Sequence, residues 1–169
     1  MKRVLVLPLV ICAASNCLAE SRQHTTRPKA EYFVAAYAQH YRVPVPFVRA
    51  IVERESDWRV CAVSPKGAVG LMQLMPTTAK RLGVRDRCDI DQSVSGGVRY
   101  LAWLMHLFHN DLRLVAAAYY AGEHVIGRRG LEYRNPDVVA YVSRIRATYL
   151  RQVVSAAKLE KNTLKRDMR

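Results

Sequence analysis

A chain of 169 residues, half of them apolar, has the size of one ordinary domain and too many core-forming side chains to be disordered over most of its length. Its 27 lysines and arginines against 14 aspartates and glutamates give a formal charge of +13, which points to an anionic partner: nucleic acid, a membrane surface or an acidic polymer. No zinc-finger, RNA-recognition or similar signature accompanies that charge.

Lys2 and Arg3 form a positive start, Val4 to Ala14 is an apolar run interrupted by Pro8, and small residues follow, with Cys17-Leu18-Ala19 as the cleavage signal. The run is too short to span a bilayer, so residues 1–19 read as a secretory signal peptide and the rest as periplasmic. Cys12 and Cys17 lack the small residue that precedes a lipoprotein cysteine, so no stable membrane anchor is expected. Removing residues 1–19 takes away two of the basic residues and none of the acidic ones, leaving +11. Export argues against nucleic acid, whereas bacterial cell wall carries peptide carboxylates and suits a basic protein. The exported part retains Cys61 and Cys88, which in an oxidising compartment read as one disulfide. A zinc site combining them with His106 and His109 is the alternative, disfavoured because no Cys-x-x-Cys spacing exists.

Residues 20–28 are polar and read as a flexible leader. Helical spacing predicts a first helix from Lys29 to Tyr41, with Phe33, Val34, Tyr37 and Ala38 on one face. Pro46 suits the first turn of a second helix that ends near Glu55. Residues 57–70 are rich in Ser, Pro and Gly and read as a loop with at most a short hairpin, followed by a small helix from Pro76 to Leu82. Ser93 is a good N-cap for a longer helix whose apolar positions are Val94, Val98, Leu101, Met105 and Phe108. Leu112 to Ala121 is a further helix, and Asn135-Pro136 starts a last one with Val138, Val142, Ile145 and Tyr149 as its stripe. No repeat or linker divides the chain, so residues 29–157 form one mainly α-helical domain with a basic tail over 158–169.

The second helix carries the chemical signal. Phe47, Val48, Ile51 and Val52 form its apolar stripe, and Glu55 falls on the same stripe, while Arg49 and Glu53 lie opposite as an ordinary i,i+4 pair. Partial burial and a helix C-terminus both disfavour the charged carboxylate, and a carboxylic acid held protonated near neutral pH is what general-acid cleavage of a glycosidic bond requires. Periodicity leaves open the bland reading, in which the helix ends here and Glu55 points to water.

The surrounding text is more specific. Glu55-Ser56, then Ser64-Pro65-Lys66-Gly67-Ala68-Val69-Gly70-Leu71-Met72-Gln73-Leu74-Met75-Pro76, resembles the lytic transglycosylases of the SLT type, bacterial enzymes of lysozyme-like fold that cut peptidoglycan. Ala118-Tyr119-Tyr120-Ala121-Gly122 is similar to that family's Ala-Tyr-Asn-Ala-Gly motif, and Pro136 to Ile145 to its final helix. The resemblance covers about Ala30 to Tyr149 and implies Glu55 as the catalytic acid and then base. It implies Ser56 supporting the sugar or the helix end, Gly70 letting the backbone approach the glycan, and Gln73 hydrogen-bonding sugar substituents. Met72 falls in the glycan-contacting stretch, Tyr119 is expected beside the Glu55 carboxylate, and Tyr141 lines the cleft from the last helix. Four of these have a structural alternative: Ser56 as a cap residue, Met72 as core, and the two tyrosines as core aromatics with satisfied hydroxyls. Three positions depart from the pattern: Tyr120 stands for the Asn, Asp137 for a Glu, and Ser93 for an Asn.

Most glycosidases use two carboxylates. Here Asp57 would point differently if the helix continued, and nothing links Asp89 or Asp91 to a cleft. One carboxylate suffices if the substrate supplies its own nucleophile, as the family's chemistry implies, with no metal and no cofactor. Expected partners are glycan strands and, by resemblance to specialised members, a secretion, conjugation or pilus apparatus. A hydrolytic muramidase of the same fold and a non-catalytic wall-binding protein are the competing readings.

Overall fold

The computed structural model describes the backbone of residues 13–167, with side chains described from Thr26 to Lys158 and at some positions beyond. The signal-peptide expectation rests above all on residues 1–12, which lie outside the described residues. Among the described residues seven helices follow in order: α1 (Ala13–His40), α2 (Val45–Ser56), α3 (Pro76–Arg81), α4 (Ile90–Leu107), α5 (Leu112–Ala121), α6 (Glu123–Arg129) and, after a 3-10 turn at Gly130–Glu132, α7 (Pro136–Asp167).

The core forms around α4, whose Val94, Val98, Leu101 and Leu104 are fully buried. Ala30, Val34 and Ala38 of α1 pack there, four residues apart and therefore on one face. Phe47, Val48, Ile51 and Val52 of α2 are all buried, so the predicted stripe is the packing face, and α2 and α5 both lie against α7. Val138, Tyr141, Val142 and Ile145 close the core from α7.

Three local readings need correction. Residues 20–28, read as a flexible leader, are helical, because α1 continues through Pro28. An Arg27–Glu31 ion pair spans that proline, and the Arg27 guanidinium lies over the Trp58 ring at 5.0 Å. At the other end, α7 carries helical backbone into the basic tail, as far as Asp167. Arg49 pairs with Glu31 of α1 at 2.9 Å, while Glu53 takes Arg151 of α7 at 3.2 Å, so the expected i,i+4 pair gives way to two tertiary contacts. Ser93 is not the cap of α4: Asp89 is, accepting from the Gln92 N–H, and Ser93 lies a turn inside, fully buried. Its hydroxyl instead accepts from the Met72 N–H at 3.4 Å.

Between α2 and α3 the chain makes only isolated bridges, Val63 with Val69 and Val69 with Leu74. The Cys61–Cys88 disulfide ties this loop to the approach of α4 and consumes both thiols of the zinc alternative. Arg87 reinforces the tie by donating to the carbonyls of Gly67 and Leu74, both at 2.9 Å.

Candidate active site

Helix α2 stops at Ser56 because Asp57 and Trp58 both turn into the left-handed region, with φ of 50° and 63°. Glu55 therefore sits in the last turn, on the side that meets α7, partly buried at the floor of a cleft of about 760 Å³. One wall is the loop with Ser64, Lys66, Ala68 and Gln73. The other runs through Tyr119 and Tyr120 of α5, Arg129 of α6, and Arg134 and Asp137 at the start of α7.

Burial pushes the Glu55 carboxyl above its ordinary value. A hydrogen bond from Tyr141 and the charge of Arg54 oppose this without cancelling it. The Tyr141 hydroxyl donates to Oε1 at 2.5 Å. Burial and the neighbouring Glu55 carboxylate in turn push the Tyr141 phenol far up, so it remains a donor. Tyr141 is itself almost fully buried, and the Tyr120 ring stacks on it at a centroid distance of 4.7 Å.

Both tyrosines stand close enough to feel the Glu55 charge, as expected of Tyr119, but the hydrogen bond to Glu55 comes from Tyr141. Tyr119 donates to the Met72 carbonyl at 2.7 Å, not to Glu55, because α5 brings its hydroxyl against the loop backbone. Met72 is fully buried and packs in the core; it enters the site through that carbonyl. Ser56 is also buried, and its hydroxyl donates back to the Val52 carbonyl at 3.2 Å, so it serves the helix end. Gln73 does line the cleft, but its side-chain amide N–H groups donate to the carbonyls of Ala62 and Gly70, at 2.8 and 3.0 Å. Gly70 is required by the loop itself. With φ of 92°, a Cβ there would come within 1.9 Å of the Arg87 carbonyl oxygen. It allows the loop to approach its own neighbour.

Tyr120, 44% exposed, does face the cleft. Sequence reasoning missed the cationic rim of Lys66, Arg129 and Arg134, which three separate segments contribute. No local pattern could have joined them. Asp137 was noted only as a departure from a motif, yet it lines the same cleft as Glu55.

A mainly helical domain with one partly buried carboxyl at the floor of a basic cleft is the lysozyme-like class, and solved structures of that fold superpose on it. An inactive mutant of the lytic transglycosylase Slt from Pseudomonas aeruginosa matches 76% of the chain at 23% identity and a TM-score of 0.64. The soluble lytic transglycosylase Slt70 from Escherichia coli matches 72% at 25% identity and 0.61. A complex of the 70-kDa soluble lytic transglycosylase with bulgecin A matches 72% at 25% identity and 0.59. This chain spans 24% of the length of each. The Transglycosylase SLT domain profile matches residues 32–140, and the chain belongs to that family.

Proposed function

We propose that this protein is a peptidoglycan lytic transglycosylase in which Glu55 is the single acid–base group. The observation that carries the reading is the Glu55 carboxyl, held above its ordinary value by burial at the cleft floor and oriented by the Tyr141 hydroxyl. Raised in this way, the group holds its proton more tightly than a free glutamate, which is the direction a general acid requires.

In the proposed reaction Glu55 gives its proton to the glycosidic oxygen between N-acetylmuramic acid and N-acetylglucosamine, and that C–O bond breaks. The muramic N-acetyl oxygen supports the electron-poor anomeric carbon. The Glu55 carboxylate then takes the proton of the same sugar's C6 hydroxyl, whose oxygen bonds the anomeric carbon and closes a 1,6-anhydro ring. Glu55 ends protonated, as it began, and no water is consumed. The Lys66, Arg129 and Arg134 rim suits the carboxylates of wall peptides. The setting that fits is the cell wall outside the cytoplasm, with local opening of the wall for a secretion, conjugation or pilus apparatus as the task.

Asp137 in the same cleft favours a second reading, a hydrolytic muramidase in which a second carboxylate activates water. Digesting purified sacculi with the wild type and with Glu55→Gln, followed by mass analysis, separates them. Anhydro products, lighter by one water and absent with the variant, are expected. Reducing-end products would move the assignment to the hydrolase. Sacculus binding without release by either protein would leave a wall-binding module.

A further inference from the structure

Tyr120 stands where the motif it resembles carries an asparagine, and its place in the fold gives the larger ring a task. It lies in the last turn of α5, and its ring stacks on Tyr141 at 4.7 Å and 25° between planes. The Arg54 guanidinium approaches the same Tyr141 ring at 5.9 Å. Tyr141 has no freedom toward solvent, being 3% exposed, and its hydroxyl ends on Glu55. Tyr120 is therefore the cleft-side element of a stack whose far end is the acid–base carboxyl.

We propose that Tyr120 is a positioning residue that acts through Tyr141, fixing the plane of that ring so that its hydroxyl stays aimed at Glu55. The inference rests on the reading of Glu55 as the acid–base group. An asparagine or leucine at 120 cannot supply the ring face, so Tyr141 gains libration and the hydrogen bond to Glu55 loosens. Because that hydrogen bond favours the carboxylate, loosening it raises the Glu55 midpoint still further.

Other groups face Glu55 as well: Arg54 on its own helix, Tyr119 on α5, and across the cleft Lys66, Arg129, Arg134 and Asp137. All are unchanged in the variants below, so a difference between variants reports the ring at position 120.

The test is an NMR titration of the Glu55 side-chain carboxyl in the wild type, Tyr120→Leu, Tyr120→Asn and Tyr120→Phe, with Tyr141→Phe marking complete loss of the hydrogen bond. An aromatic stack is worth about two- to tenfold in an equilibrium constant. Tyr120→Leu and Tyr120→Asn are thus expected to raise the midpoint by up to about one pH unit, toward the Tyr141→Phe value. Tyr120→Phe keeps the ring and is expected to keep the wild-type midpoint. This readout needs no turnover, so it stands apart from whether the glycan is cut.

On sacculi, kcat is expected to fall about two- to tenfold for Tyr120→Leu with little change in KM, and Tyr120→Phe to restore it. A Tyr120→Leu midpoint equal to that of the wild type overturns the proposal. So does a rise in KM alone, which would make Tyr120 a simple substrate contact. Absence of cleavage by the wild type would count against the proposed function instead, leaving the titration to judge the stack.

Discussion

Replacing Glu123 by Gln is expected to destabilise the domain, and to do so less as the pH falls. The Glu123 carboxylate, at the start of α6, receives the Tyr100 hydroxyl at 2.7 Å and the Arg81 guanidinium at 2.8 Å, joining α3, α4 and α6. Burial alone would push this carboxyl up, but hydrogen bonds from Arg81, the backbone and Tyr100 outweigh it and bring it from 4.5 down to about 2. A hydrogen bond to a charged group contributes about 1.5–3 kcal/mol. The ion pair adds at most about 1 kcal/mol, because Arg81 is half exposed to screening water. A glutamine keeps one accepting oxygen, so the net loss is about 2 kcal/mol, or about 4–8 °C in Tm for a domain of this size. The sign follows from linkage: a carboxyl depressed in the folded state contributes fully above its unfolded value. The contribution is lost as the pH drops from 4.5 toward about 2. Thermal melts of the wild type and Glu123→Gln, followed by circular dichroism from about pH 7 to about pH 3, should show the gap closing over that window. A gap of constant size would refute the charge-based account and leave only a neutral hydrogen bond.

The loop wall offers a matched pair. Gly70→Ala meets the Arg87 carbonyl and should cost about 3–5 kcal/mol in urea unfolding, whereas Gly67→Ala, with a similar positive φ but open space, should cost about 1 kcal/mol. Equal costs would make the backbone angle, not the collision, the cause. Replacing Cys61 and Cys88 together by Ser opens a crosslink across 27 residues and should lower stability by about 3–4 kcal/mol. Glycan release should then fail at a lower denaturant concentration than the helical signal, and simultaneous loss would contradict a local role for the bridge. Neutralising Lys66, Arg129 and Arg134 to Gln should raise KM for sacculi more than it lowers kcat and should flatten the salt dependence. An unchanged salt response would place the anionic contacts elsewhere.

Periodicity was enough for α2, α4, α5 and the start of α7, because each presents one uninterrupted apolar face to the core. It also put Glu55 on such a face, but left open whether that carboxylate points to water. The partner of Glu55 could not be read the same way: Tyr141 lies 86 residues on and reaches it only because α2 packs against α7. Tyr119 and Tyr141 offer the same hydroxyl, and which one meets Glu55 depends on helix placement, not on residue type. Ser93 misled because a hydroxyl that suits a cap also suits a buried acceptor; Asp89, three residues before Gln92, was the cap signal present in the sequence. Helix α6 was missed for a local reason: seven residues with a glycine inside and one at each flank show no helical period.

The two sides of the cleft differ in the freedom they leave to mutation. The loop from Cys61 to Leu74 is bound by the disulfide, by both Arg87 hydrogen bonds, by the Gln73 amide and by the contact at Gly70 that excludes a Cβ. Changes at Gly70, Gln73, Cys61 and the buried Leu71, Met72 and Leu74 disturb positions that other segments rely on. The stretch from Arg128 to Asn135 is exposed at most positions and is tied down by Tyr133 against the core and by Asn135 at the start of α7. Changes of charge and length are therefore expected to be tolerated better in that stretch than in the loop core opposite it.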